Sequence, residues 1–199
     1  APDEPLELER AGIVEEFSEE AVAEAEAVDV PSVTSAPGRQ DLTLLPTVTI
    51  DDADTVDRDD ALSLEIVMPG TGASGSPSAG SKYEGSTYRI GVHIADAGAL
   101  IAAGGALDQE ADRRMATLYL PERKLPMLPP DLSQGKGSLV PGERRLALSL
   151  LALVTGSGQL LDWEVTPSVI LSQAALSYEQ ADAAIDDVNH PSHPILAPL

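Results

Sequence analysis

The sequence predicts an α+β fold: a mixed, largely antiparallel β-sheet with short flanking helices. Three observations carry that prediction. Apolar and polar residues alternate in runs of strand length, at residues 47–50 and 87–95. Helical patterns are brief and bring their own caps, Ser18 ahead of Glu19 and Glu20, and Ser177 three residues ahead of Gln180. Residues 146–155 and 160–165 flank Gly156-Ser157-Gly158, the layout of two antiparallel strands joined by a tight hairpin.

A chain of 199 residues has room for one good core and an appendage. Its formal charge of −21 argues against a simple basic-patch nucleic-acid binder and against docking on an anionic membrane. No apolar run approaches the ~20 residues of a membrane span, and no basic-then-apolar segment opens the chain, so no membrane partner is expected. With no cysteine there is no disulfide partner and no thiolate metal site, which fits a cytoplasmic protein. The core must be aliphatic, because Phe17, Tyr83, Tyr88, Tyr119, Trp163 and Tyr178 are the only aromatics. A start at Ala1 and a finish in the Pro-rich phrase HPSHPILAPL give the expectation of a piece cut from something longer. Oligomeric state is not legible.

Taken in order, residues 1–40 read as an acidic helical segment and linker, with eleven acids and one base, Arg10, in the first thirty positions. The helix after Ser18 places Glu19 and Glu20 at the positive end of its dipole and offers a thin apolar face of Val22, Ala25 and Val28. Pro31 and Pro37-Gly38 close it. Residues 41–199 form the main domain. After the strand at 47–50, a second is expected at 62–68 and a third at 87–95, with Tyr88, Ile90, Val92 and Ile94 on one face and Arg89 and His93 on the other. Between the last two, residues 69–86 contain twelve Gly, Ser or Pro among eighteen and read as a flexible hairpin loop. Its formal GxGxxG at Gly70, Gly72 and Gly75 lacks the following helix that a dinucleotide fingerprint requires.

Asp108 is expected to cap a short helix with Ala111 and Met115 on its apolar face, running into a brief strand at 117–120. Residues 121–142 are too rich in Pro and Gly for a regular element. Seven of the twelve bases, Arg113, Arg114, Arg123, Lys124, Lys136, Arg144 and Arg145, fall within thirty-three residues there and form the one locally basic zone. A strand is expected to resume after Pro167 and run to Ser172, before a last helix from the Ser177–Gln180 capping box to about Ile185.

The chemistry concentrates in residues 46–62, PTVTIDDADTVDRDDAL. Six aspartates, Asp51, Asp52, Asp54, Asp57, Asp59 and Asp60, follow the strand at 47–50 within ten residues, offset locally only by Arg58. Carboxylates this close repel one another unless a divalent ion or a solvated surface compensates. An acidic surface turn is the plain interpretation. A strand delivering carboxylates into a tight loop between two core strands also suits Mg²⁺ or Mn²⁺, which prefer oxygen ligands and keep positions open for water and phosphate.

Five phrases in register, TIDDADTVDRDDAL, YRIGVHIADAGALI, LDQEADRRMATLYLPERKLPMLPPDLS, GSLVPGERRLALS and ALSYEQADAA, resemble the catalytic RNB domain of the ribonuclease II and ribonuclease R exoribonucleases. The resemblance covers roughly residues 41–185 and corresponds to the N-terminal half of that domain. It implies a metal-dependent 3′-to-5′ exoribonuclease that hydrolyses single-stranded RNA to nucleoside 5′-monophosphates, with Mg²⁺ as cofactor and Mn²⁺ as its possible substitute. The family pattern D-x₅-D-x-D-D is met by Asp51, Asp57, Asp59 and Asp60. By that resemblance Asp51 and Asp60 hold the metal, Asp59 supports the ion and the attacking water, Asp57 orients the neighbouring aromatic residue, and Tyr119 clamps a base. The basic zone would then give partial contact to the RNA backbone. His93 and Asp96 are expected to be structural, Asp96 as a strand-end acceptor, and His190 with His193 forms no metal pair despite its HxxH spacing.

Arg58 stands where the family is usually apolar, and Gly137 where it often has cysteine. The family's further helical half, with an arginine and a glutamate acting at the phosphate, and its small β-barrel RNA-binding domains have no counterpart in residues 1–199. The chain alone is therefore expected to bind RNA weakly and to hydrolyse little or none. Two other functions fit parts of the sequence. Asp52-Ala53-Asp54-Thr55-Val56 after a strand matches the DxDx[T/V] motif of haloacid-dehalogenase-like phosphatases, with Asp52 as nucleophile. A non-catalytic acidic metal-binding or interaction module is the other, although the EF-hand spacing fails.

Overall fold

The computed structural model describes residues 14–30, 36–67, 87–121 and 123–197. The expected hairpin loop at 69–86 and residues 31–35 of the expected linker lie outside the described residues. In chain order the elements are α1 (Glu19–Ala27), β1 (Gln40–Asp41), β2 (Thr47–Asp51), β3 (Asp60–Val67), β4 (Thr87–Ala95), α2 (Ala106–Arg114), β5 (Leu118–Tyr119), β6 (Lys124–Leu125), β7 (Arg144–Thr155), β8 (Leu160–Leu171), β9 (Ala174–Ser177), α3 (Tyr178–Asp186) and α4 (His193–Leu196). They fall into two compact units. The described parts of Pro31–Asp96 and Ser138–Leu199 make the larger, and those of Ala1–Val30 and Ala97–Gly137 the smaller.

The larger unit is the expected mixed, largely antiparallel sheet, seven strands in the order β1-β8-β7-β4-β3-β2-β9. Only the outermost pairings, β1 with β8 and β2 with β9, are parallel. Long antiparallel registers, Asp60–Ile94 to Val67–Thr87 between β3 and β4 and Thr87–Thr155 to Ala95–Ala147 between β4 and β7, form its rigid centre. Alternation gives the sheet two apolar faces. Val48, Leu64 and Tyr88 pack under α3 and α4 with Ala181, Ala184, Ile195 and Leu196, while Leu42, Ala61, Leu139, Ala147, Leu151 and Ile170 form the core on the opposite face. The capping box predicted at Ser177 and Gln180 starts α3, with Ser177 Oγ accepting from Gln180 N and Gln180 Oε1 accepting from Ser177 N.

Two expectations for this sheet are corrected. Pro167 does not interrupt a strand: β8 runs through it, paired with Leu148. The pairing with β1 is confined to Ser168 and Val169, so Pro167 stands on an edge stretch where a missing N–H is tolerated. The faces of β4 have the predicted period, yet the polar-side His93 is fully buried and the apolar-side Ile94 is 48% exposed. Burial follows what lies across the sheet, not the polarity of the run itself.

The smaller unit has its own core, Ala21 and Ala25 of α1 against Leu107 and Leu132, with Val28, Leu100, Ile101, Ala106 and Leu128 around them. Ser18 caps α1 as predicted, but the buried residues are Ala21 and Ala25, with Val28 half-buried beside them and Val22 38% exposed. Asp108 does not cap α2. Gly105 occupies the cap position, and the job passes to Glu24 of α1, whose Oε2 accepts from Ala106 N at 2.6 Å and Leu107 N at 3.2 Å. Met115 is not on the apolar face: it ends α2 in the left-handed region at φ 64° and is almost wholly exposed. Residues 121–142 contain two short elements that Pro and Gly content had argued against, β6 and a π-helical turn at Asp131–Lys136. Among the described residues no helix is long and apolar enough to cross a membrane.

Candidate active site

The acidic loop lies where β2 and β3 part. β2 pairs with β3 only at Thr47–Ser63 and Val48–Leu62. Beyond that, β2 follows β9 in parallel out to Asp51–Ser177, while β3 starts its pairing with β4 at Asp60–Ile94. Residues 52–59 span the gap, so Asp51 and Asp60 stand at its two rims.

Backbone bonds from distant segments hold this loop. Thr55 N donates to Asp52 O at 3.0 Å in a turn, and Ala95 N donates to Asp59 O at 2.8 Å. Ser138 Oγ donates to Val56 O at 3.0 Å and accepts from Arg58 N at 2.9 Å, while Leu139 N donates to Arg58 O at 2.9 Å. The main chain on either side of Asp57, and at Asp59, is thus held in place. Ser138 lies in the family phrase GSLVPGERRLALS, but nothing local in that phrase shows that its hydroxyl reaches a loop 80 residues away.

Asp51 carries the electrostatic signature of the site. Its carboxyl is pushed above the usual range, first by burial and then by the charge of Asp60; Arg58 partly offsets this, and Asp57 and Asp52 add to it. Asp51 Oδ2 is buried with no hydrogen-bond partner, as is Arg58 Nε. Asp52, Asp54, Asp59 and Asp60 are exposed, and Asp57 is half-buried. Among the described residues no three His, Asp or Glu side chains converge as a ready-made cation site. The donor set nevertheless fits a hard cation. An orphaned carboxylate oxygen beside a second carboxylate is relieved by a divalent ion, and Mg²⁺ commonly takes one or two carboxylates and completes its shell with water and phosphate.

Tyr119 belongs to the smaller unit, on β5, and is 77% exposed. That leaves its ring face open, the condition for stacking on a base. Most cations of the basic zone are engaged inside their own unit. Arg113 and Arg114 pair with the buried Glu110, Arg114 also lies 3.9 Å over the Phe17 ring and donates to Glu16 O at 2.9 Å, Arg123 pairs with Glu15, and Lys136 pairs with Asp131 and donates to Glu26 O at 2.7 Å. In the larger unit, Arg145 Nε donates to Ser138 O at 2.9 Å. These contacts give the zone an architectural role within each unit.

The remaining polar candidates are structural, as expected. Asp96 accepts from Arg39 at 2.5 Å, and Arg39 also donates to Ala147 O and Ser168 O. His190 Nδ1 accepts from Ser192 N, whereas His193 Nδ1 bonds Ala184 O, so the two rings serve different partners. His93 lies in a buried chain across four strands: Nε2 is 2.9 Å from Ser63 Oγ, Nδ1 is 2.6 Å from Ser149 Oγ, and Ser149 Oγ is 2.6 Å from Ser168 Oγ. Ser168 Oγ donates to Ala147 O at 3.2 Å. That last bond sets the direction of the whole chain. Ser149 then donates to Ser168, His93 Nδ1–H to Ser149, and Ser63 to Nε2, which makes the imidazole a neutral Nδ1–H tautomer.

The acidic loop is bounded by two strands of a mixed sheet, and comparison with known proteins gives the family. Residues 39–196 match the RNB domain, and the chain belongs to that exoribonuclease family. It is 37% identical over 173 residues to ribonuclease R of Thermotoga maritima, covering 86% of this chain and 22% of that protein. It is 38% identical over 148 residues to a protein of Arabidopsis thaliana named inactive exonuclease DIS3L2, covering 74% of this chain and 12% of that one. In fold it resembles Mycoplasma genitalium RNase R, solved in complex with ribose-methylated single-stranded RNA, with a TM-score of 0.74 at 24% identity over 91% of this chain and 26% of that one. The chain therefore spans about a quarter or less of the length of these relatives.

Proposed function

We propose that this chain contributes the carboxylate half of a metal-dependent 3′-to-5′ exoribonuclease that hydrolyses single-stranded RNA to nucleoside 5′-monophosphates. The observation that carries the proposal is Asp51: a buried, unpartnered carboxylate oxygen beside Asp60, with a raised proton affinity, at the rim of the gap between β2 and β3. Asp51 and Asp60 would hold Mg²⁺, or Mn²⁺ in its place, with Asp59 in support. When bound, such an ion activates water near neutral pH and offsets charge on the phosphate. Asp57 and Asp59 take the catalytic positions by the family pattern, and the backbone bonds on both sides of Arg58 support this by holding that segment in place. Tyr119 stacks a base, a contact of ~1–3 kcal/mol that accepts any nucleotide.

A family that includes a member named inactive makes the aspartates, and not family membership, the subject of the test. In the full-length protein, Mg²⁺ and 5′-labelled single-stranded RNA should give a ladder shortening from the 3′ end. Asp59→Asn should slow it by at least about a hundredfold, and Asp52→Asn should leave it within a few-fold of wild type. A ladder that survives Asp59→Asn refutes the assignment, and a phosphomonoesterase activity lost with Asp52→Asn and kept with Asp59→Asn supports the phosphatase instead. The 199-residue chain by itself should show weak RNA binding and little or no hydrolysis.

A further inference from the structure

We infer that Ser138 is the positioning residue of the acidic loop, its hydroxyl fixing the Asp57–Asp60 segment for cation binding. This deepens the exoribonuclease reading and rests on it. Ser138 is fully buried and lies 80 residues from Arg58 in sequence. Its single hydroxyl makes two bonds of opposite sense to one short segment: it donates to Val56 O at 3.0 Å and accepts from Arg58 N at 2.9 Å. Those two backbone groups bracket Asp57. Leu139 N adds a third bond, to Arg58 O, and the other end of the segment is tied where Ala95 N meets Asp59 O.

Ser138 is itself anchored. Its carbonyl accepts from Arg145 Nε at 2.9 Å, and Arg145 sits on β7 in register with Ile170 of the opposite core. The chain of restraint therefore runs from the sheet through Arg145 and Ser138 into the loop. Without the hydroxyl, Arg58 N–H and Val56 O lose their partner together, and the segment between β2 and β3 keeps only the Leu139 N bond to Arg58 O on the side facing residues 138–139. A loop of mutually repelling carboxylates has no reason of its own to keep a cation-binding geometry, so an outside grip has to supply it.

The test compares Ser138→Ala with Ser168→Ala in the full-length protein. Ser168 is an equally buried serine of the same unit whose bonds go to Ser149 and Ala147, away from the loop. Mn²⁺ affinity by electron paramagnetic resonance, amide exchange across residues 52–61, and kcat and KM on single-stranded RNA would be measured below the melting midpoints of both variants. Ser138→Ala should weaken Mn²⁺ binding about tenfold, speed exchange at Arg58 N–H, and lower kcat about tenfold with KM within twofold. Ser168→Ala should match wild type in all three. The inference is overturned if Ser138→Ala binds Mn²⁺ like wild type, if both variants fail alike, or if Ser138→Ala does not fold. A wild-type protein that binds Mn²⁺ but leaves RNA intact would sink the exoribonuclease reading, while the Mn²⁺ and exchange comparison would still decide the role of Ser138.

Discussion

Acid should weaken this fold through His93 before it protonates most carboxylates. The ring is fully buried, bonded on both nitrogens to serine hydroxyls, and burial pulls its pKa from 6.5 down to about 4. The folded value lies below the unfolded one, so the unfolded chain takes up the proton first as pH falls. The stability His93 contributes is complete above about pH 6.5, declines between 6.5 and 4, and is lost below 4. Across that window the difference amounts to roughly 3 kcal/mol, of which about 2 kcal/mol is gone at pH 5 relative to pH 7. Against a typical stability of ~5–15 kcal/mol this is a large share. Urea unfolding at half-unit steps from pH 7 to 4.5 would show it as a falling midpoint. His93→Gln isolates the effect from the carboxylates, because the variant should be less stable at pH 7 and yet lose the slope between 6.5 and 5. An NMR titration of the His93 ring near 6.5, or a wild-type slope that His93→Gln reproduces, would refute the buried-neutral assignment.

Two further outcomes follow from the same side chains. A Cβ at Gly91 would lie 2.3 Å from Ser63 Oγ and 2.6 Å from His93 Nε2, so Gly91→Ala should displace the ring and cost about 1–3 kcal/mol, visible as a drop of several degrees in the thermal midpoint; an unchanged midpoint would contradict the close packing. Because folding raises the Asp51 pKa, its ionised form opposes folding in the absence of a cation, and Asp51→Asn should raise the urea midpoint in EDTA; Mg²⁺ should then stabilise wild type and not the variant, and equal Mg²⁺ stabilisation of both would remove Asp51 from the ligand set.

The fold and the candidate site are related through strand pairing. Strong registers between β3, β4 and β7 hold the sheet centre, whereas β2 divides its pairing between β3 and β9. That division opens the gap which the acidic loop fills. The same centre carries the His93 chain on Ser63, Ser149 and Ser168, a fully satisfied polar network that favours one strand register over its neighbours.

By itself the sequence determined several features that depend on residues close together along the chain. The alternation at 47–50 and 87–95, the Ser18 cap, the Ser177–Gln180 capping box and the order of the family phrases are local patterns, and each was readable without coordinates. The acidic loop was likewise legible, because repulsion among six nearby carboxylates demands compensation wherever the loop lies. Tertiary structure decided what depends on partners far away. It buried His93 while exposing Ile94, carried β8 through Pro167, gave the capping of α2 to Glu24 of another helix, engaged the basic zone with Glu15, Glu110 and Asp131, and brought Ser138 to the flanks of Asp57. The physical reason is the same in each case. A side chain's burial and hydrogen bonding are set by strand register and by segments up to a hundred residues away, and no short window of sequence contains that information.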